Sequence, residues 1–291
     1  MELNPDQLEA LSAVVEFGTF EAAARALTVT PSAVSQRIKA LESSVGRVLV
    51  NRTKPAVLTE SGEVLLRAAR QVDLVRHDAL AALGTPDAAT TISLAINADS
   101  LATWALAPLA DVAALLDVRF DIHREDQAHS TRLLRQGVVM AAITSDPRPV
   151  QGCTVSTLGS MTYRLMASPA FTERWFARGL TTAALRHAPV VVFDRKDDLQ
   201  AHYLRARSRT RLDPPRHYIP SSGEFAAAVR LGLGWGMLPE AQFTQDVAAG
   251  TLLDLDPDRG IDVPLYWQQW RLESRILNEV AAAVSGAAPR H

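Results

Sequence analysis

The sequence predicts an α/β chain with an α-rich N-terminal domain, and three observations carry that expectation. Residues 1–59 hold three capped helical patterns and a short hairpin, and residues 60–89 read as one long amphipathic helix. Residues 90–291 alternate short apolar strands with helices, the pattern of α/β units. That last region divides into two lobes, the first about 90–160 with 265–291 and the second about 161–264. With 291 residues and 47% apolar content, the chain is long enough to bury more than one core.

Asn4-Pro5-Asp6-Gln7 supplies a cap, a first-turn proline and a Gln at the capping-box position. Leu8, Leu11, Val14 and Val15 form the apolar stripe, and Gly18 closes the helix. Thr19 caps the next one, where Ala22, Ala23, Ala24 and Ala26 carry so little bulk that a third helix packs closely across it. Thr30 and Pro31 begin that third helix as N-cap and first helical residue. Val34, Ile38 and Leu41 fall on its buried stripe. At about 100° per residue, Ser32, Ser35, Gln36 and Lys39 take the opposite side.

On an arbitrary helix such a polar face is simply solvated. Here it follows a tight helix pair, and small hydroxyls with an amide suit close approach to base edges. Residues 47–50 and 56–58 read as two strands around 51–55, a wing with Arg52 and Lys54 at its tip for phosphate or the minor groove. Between residues 22 and 58 there are six basic residues (Arg25, Arg37, Lys39, Arg47, Arg52, Lys54) against one acid, Glu42. The whole chain is −2, so it is not a general polyanion binder. A small basic face on a neutral chain suits site-specific binding by an oligomer, in which copies of the patch add up. The candidate DNA contacts are Thr30, Pro31, Ser32, Ser35, Gln36, Arg37, Lys39, Arg52 and Lys54.

From residue 60 to about 83, Leu65, Ala68, Val72, Val75, Ala79 and Ala82 alternate spacings of three and four. Such a seam must be buried, against this chain's own domain or against a second copy. Gly84-Thr85-Pro86-Asp87 ends the helix. Strands are then expected at 91–96, 118–122, 138–144, 162–167, 190–193, 218–219 and 263–267. Helices are expected at 100–114, 130–136, 171–178, 223–231 and 274–284. The alternation predicts a parallel sheet flanked by helices.

Ligands of open α/β sheets bind outside the C-terminal strand ends. Asn97, Asp99 and Ser100 fall there, with backbone N–H groups and a hydroxyl suited to a carboxylate. Glu125, Asp126, Thr144 and Asp194 (followed by Asp197 and Asp198) are the other strand-end polar residues. Each acid alone reads as a solvated loop carboxylate. Facing one cleft, they would select a cationic side chain.

The N-terminal segment resembles the winged helix-turn-helix of the LysR-type transcriptional regulators. Thr30 through Glu42 matches S/T-x-x-A-V-S-x-x-I-x-x-L-E, and Leu58-Thr59-Glu60-Ser61-Gly62 matches L-T-x-x-G. Many members carry Gln where this chain has Pro31, so a base contact made there is not carried over. NADSLATW, REDQAHS, GLGWGMLPE and LYWQQWRLES are similar to the LysG/ArgP branch, regulators of basic amino-acid export. The resemblance implies a two-lobed effector domain of the periplasmic-binding-protein kind, with lysine or arginine in the cleft and histidine a third candidate. It puts Asp99 and Asp126 first among the strand-end acids. It implies dimerisation through the 60–89 helix, a homotetramer, double-stranded promoter DNA and RNA polymerase as partners, and no cofactor.

Enzyme signatures are missing: no G-x-S-x-G elbow, phosphate loop or H-E-x-x-H occurs. Gly232, Gly234 and Gly236 alternate, which is not dinucleotide-binding spacing. The seven histidines show no metal spacing, and the lone Cys153 leaves no intramolecular disulfide. No secretory signal and no apolar run of membrane length is read, so a cytoplasmic protein is expected. Three other readings carry different expectations: an origin- or chromosome-binding architectural protein, a solute binder without regulation, and a LysR-type regulator with another effector.

Overall fold

The computed structural model describes residues 3–85, 90–124 and 127–289, and of 127–129 the backbone. Pro86 and Asp87 at the expected boundary, and the expected site residues Glu125 and Asp126, lie outside the described residues.

The N-terminal domain comprises α1 (Pro5–Phe17), α2 (Phe20–Ala26), α3 (Pro31–Val45), β1 (Val50–Asn51) and β2 (Val57–Leu58). Each helix starts where a side-chain oxygen takes an orphan N–H. Asn4 Oδ1 accepts from Asp6 N at 2.9 Å, Thr19 Oγ1 from Ala22 N at 3.1 Å and Thr30 Oγ1 from Ala33 N at 3.2 Å. Gly18 closes α1 at φ 70°, a conformation that L side chains resist. Leu8, Leu11, Val14, Val34, Ile38 and Leu41 meet in one core, and Ala23 and Ala24 let α3 sit close.

The wing strands are two residues each, shorter than the sequence led one to expect. Glu42 explains the difference. Its Oε1 accepts from Leu49 N at 2.8 Å and Val50 N at 3.3 Å, so the side chain takes N–H groups that a ladder would have used. The one acid of the basic stretch is therefore a structural brace.

Thr59 starts α4 (Glu60–Ala82) by accepting from Gly62 N at 3.1 Å while its hydroxyl donates to Val48 O at 2.7 Å. At Gly62 an added Cβ would lie 2.1 Å from Leu49 O. Gly62→Ala is expected to lower the thermal stability of this domain by about 1–3 kcal/mol or more through overpacking. An unchanged unfolding midpoint would show that the wing moves aside at no cost.

Helix α4 has two apolar faces. Leu66, Ala69 and Leu74 are buried in this chain, whereas Val64, Val72 and Val75 stand 66%, 52% and 46% exposed. Leu65 departs from the expected seam, being half-buried against the N-terminal core.

The remainder comprises β3 (Thr91–Ile96), α5 (Ala98–Thr103), α6 (Leu106–Leu116), β4 (Arg119–Arg124), α7 (Gln127–Gln136), β5 (Ala141–Thr144) and β6 (Cys153–Ala167). Then come α8 (Pro169–Phe176), α9 (Thr182–His187), β7 (Val190–Val192), α10 (Leu199–Arg207), β8 (Arg216–Tyr218), α11 (Ser222–Arg230) and β9 (Gly236–Pro239). The chain ends with α12 (Glu240–Ala248), β10 (Leu253–Asp254), β11 (Ile261–Trp270) and α13 (Arg275–Ala287).

The main sheet runs β10-β6-β11-β5-β3-β4, with β9 also on β6. It is mixed, which corrects the expected parallel sheet. Strands β3, β4 and β5 are parallel, but β6 and β11 pair antiparallel with each other and with their neighbours. These two long strands serve both lobes. Their register shifts between Leu265 and Tyr266, opposite Gly159 and Thr157. Strand β6 begins at Cys153, not at Thr162, because its polar first half is held by β11 and not by an apolar face. The single helix expected over 100–114 is two, α5 and α6, and the first begins at Ala98 with Asn97 in the cap position. Helices α9, α10 and α12 were not foreseen; each is short, and Tyr203 and Leu204 of α10 are buried between charged neighbours.

Candidate nucleic-acid interface and ligand cleft

On α3 the expected face is open. Ser32, Gln36 and Lys39 are exposed and Ser35 half-exposed, on the side opposite the buried Val34, Ile38 and Leu41. Pro31, Ser32 and Ser35 line a hollow of about 400 Å³ with Thr19, Phe20, Arg52 and Lys54, where the α3 start meets the wing. Arg52 folds into it, its Nη1 donating to Ser35 Oγ at 3.1 Å and its guanidinium lying 5.0 Å from the Phe20 ring centre. Arg37 is placed differently from its neighbours. It forms an ion pair with Asp6 at 3.1 Å, so its charge is spent against the start of α1. Thr30 is engaged as the α3 cap.

In the ligand region the structure gathers one cluster. Parallel β3 and β4 bring Ile96 opposite Arg124, and α5 leaves the end of β3. Asp99 points across to the second lobe. Its Oδ2 accepts from Tyr163 Oη at 2.7 Å, and its Oδ1 from Ser222 Oγ at 2.5 Å. Ser222 opens α11, so the Asp99 carboxylate sits against the positive end of that helix. Gln242 Nε2 donates to Ser222 Oγ at 2.6 Å and steadies it. Burial, then the neighbouring Asp99 charge, pushes the Tyr163 phenol far above its ordinary value, so it stays a protonated donor at any physiological pH. Asp197 feels the same centre: burial raises its carboxyl, and Asp99 adds to the push.

The other expected residues divide. Asn97 Oδ1 is buried with no partner among the described residues. Ser100 is fully buried in the first turn of α5 and not at its cap, with Oγ 3.6 Å from Met161 Sδ. Thr144 is buried and accepts from Asp146 N at 3.2 Å. Asp194 Oδ1 accepts from Lys196 N at 2.7 Å and Asp197 N at 3.0 Å, which shapes its loop. It also lines a hollow of about 850 Å³ between β7, β8 and α10. Arg195, Arg205, Arg209, Arg211 and Arg216 give that hollow the wrong sign for a cation.

Sequence reasoning missed Tyr163, Ser222 and Gln242. Tyr163 and Ser222 lie 64 and 123 residues from Asp99, and nothing in their local patterns points to it. Among the described residues no group of His, Cys, Asp or Glu could hold a metal, and no helix is long and apolar enough to cross a membrane.

A DNA-reading helix with a wing, joined by a long helix to a two-lobed ligand domain, defines a ligand-responsive transcriptional regulator. The family described as bacterial regulatory helix-turn-helix protein, lysR family, matches residues 5–63, and the LysR substrate binding domain matches residues 88–288. The chain belongs to the LysR family. It is 47% identical to the HTH-type transcriptional regulator LysG of Mycobacterium tuberculosis over 98% of this chain and 95% of that one. The crystal structure of ArgP from Mycobacterium tuberculosis superposes with a TM-score of 0.86 at 46% identity, covering 98% of this chain and 97% of that one. Full-length LysG of Corynebacterium glutamicum with bound effector Arg gives a TM-score of 0.79 at 41% identity, covering 99% of this chain and 100% of that one. These relatives are regulators of transcription, not enzymes.

Proposed function

We propose that this regulator responds to a basic amino acid, lysine or arginine, and controls a gene for amino-acid export. The observation that carries the reading is Asp99, a first-lobe carboxylate that accepts from Tyr163 and Ser222 of the second lobe. A cation entering there meets fixed negative charge in a partly shielded site, and a carboxylate side chain is repelled. The Corynebacterium glutamicum relative with bound Arg supports the same ligand class. Asn97, whose buried Oδ1 has no partner among the described residues, follows the same strand end and is the candidate for the rest of the ligand, with Ser100 and Thr144 behind it. Histidine is the weaker candidate, since its charge is largely lost at neutral pH.

Residues 1–59 bind DNA, 60–89 pair two subunits, and 90–291 bind the effector. Dimers joined through the exposed α4 face, and paired again into a tetramer, place four reading helices on promoter DNA, where RNA polymerase acts. Such a protein works in the cytoplasm. Titration calorimetry with the twenty amino acids tests the ligand class directly; saturable binding of lysine or arginine is expected, and heat only from neutral or acidic ones overturns it.

The DNA reading has its own test. Gln36→Ala removes an exposed amide worth about 1–3 kcal/mol of base discrimination. Operator affinity is expected to fall far more than affinity for random duplex. Arg52→Ala should weaken both alike and flatten the salt dependence. Equal losses on both duplexes for Gln36→Ala would place that amide away from the bases.

A further inference from the structure

Helix α7 ties the ligand cleft to the DNA-binding half of the chain. It follows β4, whose end at Arg124 lies beside Ile96, the residue before Asn97. Helix α7 is ten residues long, about 15 Å along its axis, and its far end rests on α4. Gly137 lies flush there at φ 74°, and an added Cβ would come within 2.8 Å of Arg67 Cβ and 2.9 Å of Arg67 N. Arg70 Nη1 donates to Gly137 O at 3.0 Å and to Val138 O, a cation on the negative end of α7. Gln136 Nε2 donates to Glu63 Oε1 at 2.8 Å. Arg67 grips the neighbouring turn, donating to Gln151 O at 3.0 Å and Gly152 O at 2.7 Å, with its guanidinium 5.6 Å from the Trp270 ring centre. Trp270 Nε1 in turn donates to Leu134 O of α7 at 3.4 Å.

The gripping residues fall within the stretch of α4 that also packs on the helix-turn-helix. Leu65 and Ala69 join the N-terminal core, between and beside Arg67 and Arg70. Burial has stripped water from the Arg70 guanidinium and pushes its pKa down, so it has strong reason to keep its carbonyl partners.

We propose that Arg70 and Arg67 are positioning residues that carry effector binding to the DNA-binding domain, Arg70 by clamping the cleft-distal end of α7 to α4 and Arg67 by holding the 151–152 turn to the same helix. The proposal rests on the ligand reading above and adds the route of regulation. A ligand that shifts the start of α7 moves the helix as a rod, and the clamp passes that shift to α4 and the reading helices. Coupling of this kind is a free-energy difference between liganded and unliganded operator binding, and a contact chain supplies a physical route for it.

The test uses the full-length chain and Arg70→Ala, Arg70→Lys, Arg67→Ala and, as a control on the same helix, Arg76→Ala. Lysine and arginine affinities come from calorimetry, and operator affinity with and without each amino acid from fluorescence anisotropy. For Arg70→Ala and Arg67→Ala the ligand affinity should stay within about twofold of wild type, while the ratio of operator affinities with and without ligand collapses toward one. Arg70→Lys, which keeps a charge and a donor, should retain part of the ratio, and Arg76→Ala all of it. Should Arg70→Ala fail to fold, the Arg70→Lys and Arg67→Ala ratios decide. A wild-type ratio in folded variants overturns the clamp while leaving the ligand reading intact. Absence of lysine and arginine binding in wild type overturns the ligand reading, and the clamp with it.

Discussion

Val72→Asp is expected to dissociate the assembly and to lower specific operator affinity by about a hundredfold or more. Val64, Val72 and Val75 stand open on α4 while its other face is already filled by this chain. On the proposed assembly, this open apolar seam is the face that a second copy would cover in an isologous contact. By that symmetry one substitution places two carboxylates at the seam, and an unpaired buried charge costs about 3–5 kcal/mol. A monomer then has a single reading helix, with too few phosphate and base contacts for specific binding. Sedimentation velocity checks the assembly and anisotropy the DNA. An unchanged sedimentation coefficient would mean that the seam is not the subunit contact.

Asp99→Asn should lower lysine or arginine affinity by tenfold to a hundredfold, because a charge-assisted bond in a shielded site contributes about 1.5–3 kcal/mol. The amide keeps the size and one acceptor for Ser222 or Tyr163, so the fold and ligand-free operator binding should stay near wild type. Norleucine, which matches lysine without the ammonium, should bind wild type barely and lose little to the substitution. Calorimetry on the four combinations gives the coupling. If norleucine binds wild type as well as lysine does, the acidic cleft does not select the ligand. Asp126→Asn carries the same expectation from the sequence.

Much of this chain was legible before its structure. The caps at Asn4, Thr19 and Thr30 act through neighbours two or three residues away, so their meaning is complete in a short window. The Val34, Ile38, Leu41 stripe fixes which side of α3 is free, and Gln36 is exposed for that reason alone. Strand β3 was readable from end to end, because a buried parallel strand is a continuous apolar run. The family motifs Leu41-Glu42 and Thr59 to Gly62 were readable as patterns, but their causes were not. Glu42 bracing Leu49 and Val50, and Leu49 O leaving no room at Gly62, are contacts across a turn.

The Asp99 cluster shows the limit more sharply. Sequence placed Asp99 at a strand end, where ligands of such sheets gather, and gave its charge. Only the tertiary structure decided that its partners are Tyr163 and Ser222, and that Asp194 turns instead toward an arginine-lined hollow. It also decided that β6 and β11 cross between lobes, and that Arg70 clasps the end of α7. The physical reason is range. Caps, helix periodicity and strand runs are set by interactions over a few residues, which a linear sequence displays. A hydrogen bond between positions 123 residues apart depends on how whole lobes pack, and no local pattern encodes that.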